Sequence, residues 1–154
     1  MLSPPPGFPI NRIRAGGLYQ ALLQINAYWL MGAIRRAVKQ LNLHKPIVVN
    51  AFNPSYGPAL RGKLDEQLCI YYAYDEIAAA RWVKKHGLLA EQTFCTLVDG
   101  VVVSSPGLLE KKQNLHPRIA MVPNGVDFDR FHRAYALRKG RPKRPSPTIG
   151  YIGS

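Results

Sequence analysis

The sequence is poor in acidic residues and in cysteine. Only 9 Asp and Glu stand against 21 Lys and Arg, so the formal net charge is +12 over 154 residues. Neither of its 2 cysteines, Cys69 and Cys95, has a Cys or His partner at the spacing of a zinc or redox motif. We therefore predict buried thiols in a reducing compartment and no metal site. The positive charge favours a polyanion, an anionic membrane surface or a phosphorylated small molecule as the partner.

Long apolar runs and glycine-rich nucleotide loops are absent as well. The most apolar stretch, 18–34, is interrupted by Gln20, Gln24 and Asn26. It falls short of the ~20 apolar residues that a membrane span requires. Neither the GxGxxG fingerprint nor a phosphate-loop signature occurs, and the sequence has no internal repeat. The interrupted apolar stretch favours a soluble or peripheral cytoplasmic protein.

Strand and helix patterns alternate along the chain. Short apolar runs typical of buried strands occur at 47–51, 68–72, 101–103 and 119–122. Helical patterns cover 18–41, 74–85, 91–97, a segment that begins after Ser105 as its N-cap, and 128–137. Gly87 is expected to end the 74–85 helix in the left-handed conformation. We predict an α/β fold, with a Rossmann-like, mostly parallel sheet and helices on both faces.

The composition divides the chain into three predicted segments. Residues 1–132 form a Rossmann-like domain that is expected to be incomplete at its N-terminus. Residues 133–147 are a basic interdomain linker. Residues 148–154 start another strand and stop at Gly153-Ser154, which suggests the first strand of a truncated second domain.

Polar residues follow three of the predicted strands, where ligands of parallel sheets usually bind. Asp75 and Glu76 follow the second strand and could act as a general base or bind sugar hydroxyls. They could equally cap a helix and complement its dipole. Ser104 and Ser105 could bind an anion at a helix start, although capping explains them as well. The Asn124-Gly125 pair predicts a tight turn with positive φ.

These residues also resemble a known family, the GT-B glycosyltransferases, and within them the nucleotide-sugar-dependent family 4 (group 1) type. The resemblance is carried by Asn50 to Pro54, Tyr71 to Glu76 with Trp82 and His86-Gly87, Ser104-Ser105-x-x-Leu108 with Lys111-Lys112, and Val122 to Asp127 with Phe131. It covers most of residues 45–154. The Asn-Gly-Val-Asp-x-x-x-Phe unit is its most specific part.

The resemblance implies a sugar transfer from a nucleotide-sugar to a glycan, lipid or cell-envelope acceptor. Asp75 and Glu76 are the expected catalytic residues, while Asn124, Gly125 and Gly153 are expected near the donor phosphates. The nucleotide-sugar is a cosubstrate, and no permanently bound cofactor is implied. The donor site of this family lies in a C-terminal domain, so the chain is expected to be an inactive fragment by itself. A cytoplasmic location is expected, with peripheral contact at the inner face of an anionic membrane.

Three other interpretations remain open. The basic residues between 133 and 144 could make the chain a non-enzymatic nucleic-acid-binding module, although Tyr135 is the only aromatic residue among them. They could also form a solvated linker without a partner. A small, complete α/β protein with its own ligand is the third interpretation. The apolar strand predicted at its end argues against it, because an unpaired terminal strand promotes aggregation.

Overall fold

The computed structural model describes residues 6–13, 15–80, 83 and 86–139. Its sheet has four parallel strands in the order β1-β2-β3-β4: β1 (Ile47–Ala51), β2 (Leu68–Ala73), β3 (Gly100–Val103) and β4 (Ile119–Met121). The helices are α1 (Gly16–Gln40), α2 (Gly57–Leu60), α3 (Gly87–Cys95), α4 (Pro106–Lys112) and α5 (Phe128–Lys139). Short 3₁₀ turns occur at Ile10–Arg12, Pro54–Tyr56 and Ile77–Ala79. The predicted α/β class and the Rossmann-like parallel sheet are confirmed.

The chain divides into two compact units, Met1–Pro123 and Asn124–Ser154. The first unit contains the four-stranded sheet and α1 to α4, and α5 lies in the second. The predicted strand at 148–152 lies outside the described residues.

One face of the sheet forms the hydrophobic core. Alternate residues of the two central strands, β2 and β3, are buried on this face and pack against α3 and α4. The members of this cluster are Cys69, Tyr71, Ala73, Phe94, Cys95, Val98, Val101, Val103 and Leu108. Burial raises the pKa of the Cys95 thiol to about 12, so Cys95 is a packing residue rather than a nucleophile.

The opposite face of the sheet is largely open in the described chain. Ile47 and Val49 of β1 are 60% and 57% exposed, and Leu68 of β2 is 39% exposed. The crossover helices α3 and α4 both pack on the other face, which carries the core. The strand order supplies the reason, because right-handed crossovers between strands that follow one another in a single direction all lie on the same face.

The predicted 18–41 helix is confirmed as α1. Its buried apolar residues recur every four positions, at Tyr19, Leu23, Ala27 and Met31. Asn26, which interrupts the apolar stretch, is buried and holds the chain before the helix. Its side chain accepts a hydrogen bond from the Phe8 amide at 2.8 Å and donates one to the Phe8 carbonyl at 2.9 Å. Among the described residues, no helix is sufficiently long and apolar to cross a membrane.

The segment after β2 differs from the prediction. In place of a helix over 74–85, a 3₁₀ turn spans Ile77–Ala79 and Ala80 is extended; 81, 82, 84 and 85 lie outside the described residues. Gly87 does not end a helix in the left-handed conformation but begins α3. A Cβ atom at Gly87 would lie 3.2 Å from Ile77 and from Val83. The glycine therefore permits a close approach, which the sequence pattern alone could not distinguish from a helix cap.

An ionic cluster joins the loops at the amino ends of β2 and β3. The Arg61 guanidinium donates to Glu66 at 2.9 Å, to Asp99 at 2.9 Å and to the Leu97 carbonyl at 2.9 Å. Asp99 also accepts a hydrogen bond from the Cys69 amide at 2.8 Å. The cluster connects three segments of the chain at the edge of the sheet opposite to the polar loops, which indicates a structural role.

This cluster predicts a specific acid sensitivity. Burial opposes ionisation of Glu66, but hydrogen bonds from the Gly62 amide and from Arg61 outweigh it and lower the pKa of Glu66 from 4.5 to about 2. A carboxylate whose pKa is lower in the folded state than in the unfolded state stabilises the fold at pH values above its unfolded-state pKa. This stabilisation is lost as the pH falls toward the folded-state pKa. The difference in unfolding free energy between the wild type and Glu66→Gln is therefore expected to be constant above about pH 5 and to shrink between pH 4.5 and about 2.

Urea unfolding of both proteins at a series of pH values measures this difference. Glu110→Gln, at an exposed carboxylate of α4, is the matched control for the loss of a negative charge. A difference for Glu66→Gln that stays constant down to pH 2 would contradict the prediction.

Candidate functional site

The carboxyl ends of β1, β2 and β3 are in direct contact. The Ser104 hydroxyl, just after β3, donates a hydrogen bond to the Tyr74 carbonyl at 2.7 Å. The rings of Phe52, just after β1, and Tyr74 stack with centroids 5.2 Å apart. Phe52 has φ of 64°, a left-handed conformation that costs about 1 kcal/mol or more for a bulky residue. Strain at a strand end beside an exposed tyrosine marks this edge of the sheet as a candidate site.

Asp75 and Glu76 lie at the same edge but in different environments. Asp75 is exposed, and one of its carboxylate oxygens accepts a hydrogen bond from the Glu76 amide at 2.8 Å. The Glu76 side chain is 21% exposed and accepts a hydrogen bond from the Ala78 amide at 3.3 Å. Glu76 thus caps the 3₁₀ turn, while Asp75 stays open to solvent.

Two lysines of α4 hold the Glu76 carboxylate. The Lys112 ammonium is 3.3 Å from one oxygen and the Lys111 ammonium is 3.4 Å from the other. Burial acts to raise the pKa of Glu76, but the hydrogen bond from the Ala78 amide and the charge of Lys112 lower it below its usual range. Glu76 is therefore a fixed negative charge and a weak base at neutral pH.

A buried ionic network lies behind Glu76. The Lys112 ammonium donates to both carboxylate oxygens of Glu91, at 2.9 Å and 2.8 Å, and both side chains are only 3% exposed. The Tyr71 hydroxyl donates to Glu91 at 2.8 Å. Burial, together with the negative charge of Glu91, raises the pKa of Tyr71 far above its usual value, so Tyr71 remains a neutral hydrogen-bond donor. The network connects α3, α4 and β2 to the loop that presents Asp75 and Glu76.

The motifs in the sequence do not mark Glu91 or Tyr71 as members of this network, and Lys112 stands out only within the family resemblance. The sequence contains one signal that could have predicted this network. Lys112 is four residues after the buried Leu108, and Glu91 is three residues before the buried Phe94, so both charges have core-facing helical spacing. Opposite charges at core positions of two successive helices could have been predicted to pair.

The two serines after β3 have structural partners. Ser105 is the predicted N-cap of α4, and its side chain accepts a hydrogen bond from the Leu108 amide at 3.4 Å. Ser104 donates to Tyr74, as described above. The capping interpretation of Ser105 is confirmed.

The expected donor-site residues lie elsewhere in the chain. Asn124 and Gly125 belong to the second unit and are exposed, and Gly153 lies outside the described residues. Gly62 is the one described glycine with positive φ, so the tight turn predicted at Asn124-Gly125 is not built on a left-handed glycine. The segment between β4 and α5 has no turn or helix. The structure therefore provides geometry for Asp75 and Glu76 alone among the predicted site residues.

No group of three or more His, Cys, Asp and Glu side chains within the described part of the chain could hold a metal ion. The chain matches no model of a known protein family. A search among curated proteins finds no significant similarity.

Proposed function

We propose that this chain is the acceptor-side part of a GT-B-type glycosyltransferase that uses a nucleotide-sugar donor. The observation that carries the proposal is the polar edge of the sheet, where the exposed Asp75 lies beside Glu76, a carboxylate fixed by two lysines. Open parallel sheets bind ligands at this edge. The motif resemblance in the same residues supports a sugar as the ligand.

The two carboxylates have different proposed roles. Asp75 is exposed, so it can approach an acceptor hydroxyl and take its proton or accept its hydrogen bond. Glu76 keeps its charge and its position through Lys111 and Lys112, which suits a hydrogen-bond acceptor that orients the sugar. Tyr74, half exposed and stacked on Phe52, can contact the apolar face of a sugar ring.

The donor half of the reaction would be supplied by a second domain that binds the nucleotide-sugar as a cosubstrate. The family resemblance implies that Asn124, Gly125 and Gly153 lie near the donor phosphates and that the isolated chain does not catalyse transfer. The acceptor is a glycan, a lipid-linked sugar or a cell-envelope polymer, used in the cytoplasm at the inner face of a membrane.

Asp75→Asn is expected to weaken sugar binding about tenfold, because it replaces a charged hydrogen-bond acceptor by a neutral one. The test records amide NMR shifts of the chain during titration with hexoses, N-acetylhexosamines and their 1-phosphates. Shifts are expected at Tyr74, Asp75 and Ser104. Asp65→Asn is the matched control, since Asp65 is an exposed aspartate before the amino end of β2 and asparagine tolerates its positive φ of 52°. Sugars that shift no residue at this edge, or an equal loss in both variants, would exclude the proposal.

A further inference from the structure

Helix α5 has its aromatic residues on one side and Arg130 and Arg133 on the opposite side. Phe128, Phe131 and Tyr135 have the spacing i, i+3 and i+7, which places them on one side of the helix. They are 68%, 63% and 56% exposed. The His132 ring stacks on Phe128 at 5.3 Å and widens the stripe. We call these four residues the aromatic stripe of α5.

The helix also carries four basic residues, Arg130, Arg133, Arg138 and Lys139, and the sequence stays basic after it. Arg130 and Arg133 lie on the side opposite to the aromatic stripe, at about 100° of rotation per residue. Over residues 128–144 the sequence has seven Lys and Arg against one Asp, a net charge of +6, half of the +12 of the whole chain. The segment is thus the most basic part of the chain, and the helix α5 within it is amphipathic.

We propose that α5 is a membrane-docking helix that lies on the surface of an anionic lipid bilayer. The aromatic stripe enters the headgroup region, where the amphipathic rings of aromatic residues are favoured. The arginines bind lipid phosphates from the polar side and its flanks, since long basic side chains can reach the headgroups. The charge complementarity between a +6 segment and an anionic leaflet identifies the partner.

The arrangement favours a bilayer over a nucleic acid. Binding to single-stranded nucleic acid uses aromatic rings interleaved with basic residues along one groove. In α5 the rings share one side, and Arg130 and Arg133 lie on the other. A bilayer offers an apolar layer below a charged layer, which matches this separation. The inference does not depend on the proposed sugar transfer, so either can fail without the other.

The test measures co-flotation of the whole chain with vesicles of phosphatidylcholine, with and without phosphatidylglycerol, at low and at high salt. Binding is expected only to the anionic vesicles and is expected to weaken as salt screens the charges. The variant Phe128→Ser/Phe131→Ser should bind at least tenfold more weakly. Each of Arg130→Gln and Arg133→Gln should lower binding roughly fivefold.

Leu18→Ser/Leu89→Ser is the matched control, because it removes two similarly exposed apolar side chains, 54% and 68% exposed, from the other unit. It should bind like the wild type. Circular dichroism and thermal melting establish that each variant is folded.

A mixed-sequence oligonucleotide is added in a parallel titration. The proposal would be overturned in favour of nucleic acid if the oligonucleotide binds tightly with a steep salt dependence and the Phe128→Ser/Phe131→Ser variant binds vesicles as well as the wild type does. Absence of binding to anionic vesicles at low salt would also overturn it.

Discussion

Replacing Lys112 by methionine is expected to lower the free energy of unfolding by about 3–5 kcal/mol. Lys112 is buried and bonds both oxygens of Glu91 and one oxygen of Glu76. Methionine fills much of the same volume but cannot donate a hydrogen bond. The carboxylate of Glu91 would remain buried, with Tyr71 as its remaining donor in this network. An uncompensated buried charge is among the most destabilising changes available to a single substitution.

Urea unfolding of the wild type and Lys112→Met at neutral pH measures the loss. Lys111→Met is the matched control, because the adjacent lysine reaches the same Glu76 carboxylate but is 66% exposed. It should cost no more than about 1 kcal/mol. Lys112→Met/Glu91→Gln should recover part of the loss, since it removes the orphaned charge. Equal losses at positions 111 and 112 would contradict the role assigned to the buried network.

Gly57→Ala is expected to destabilise the fold by about 1–3 kcal/mol, although alanine is the better helix former. A Cβ atom at Gly57, the first residue of α2, would lie 2.5 Å from two ring atoms of Phe94. Phe94 is 1% exposed and its ring packs edge-on against Tyr71 at 5.6 Å. A ring held in this way cannot move aside without disturbing the core, so the methyl group overpacks it.

Gly107→Ala provides the comparison, because Gly107 lies in the exposed first turn of α4 and a Cβ atom there would meet nothing within 4 Å. That variant should be neutral or more stable by up to about 1 kcal/mol, since alanine loses less backbone entropy on folding. Thermal melting of the three proteins under identical conditions compares the two sites. A Gly57→Ala melting temperature equal to or above that of the wild type would refute the predicted overpacking.

Local patterns predicted the elements that depend on local chemistry. β1 occupies the predicted residues 47–51, and Ser105 is the predicted N-cap of α4. Predictions that depended on distant neighbours were less accurate. Gly87 was expected to cap a helix, but its closest neighbours are Ile77 and Val83. Which role a glycine has depends on residues that approach it only in the folded chain.

In the candidate site, too, the sequence predicted what depends on local pattern and missed what depends on distant residues. The position of Asp75 and Glu76 at a strand end followed from the sequence pattern, because the carboxyl edge of a parallel sheet collects such loops. Their difference in environment did not follow from it. It arises because Lys111 and Lys112 lie 35 and 36 residues beyond Glu76 in the sequence and reach it only when α4 folds against the loop that follows β2.

By itself, the sequence determined the α/β class, the parallel strands and a helix that begins at Phe128, because hydrophobic period, capping residues and charge are local properties of the chain. The tertiary structure decided which sheet face is covered, which carboxylate is fixed and which is open, and which lysine is buried. These outcomes depend on contacts between residues far apart in the sequence. Burial changes the energy of a charge only after such contacts have removed it from water.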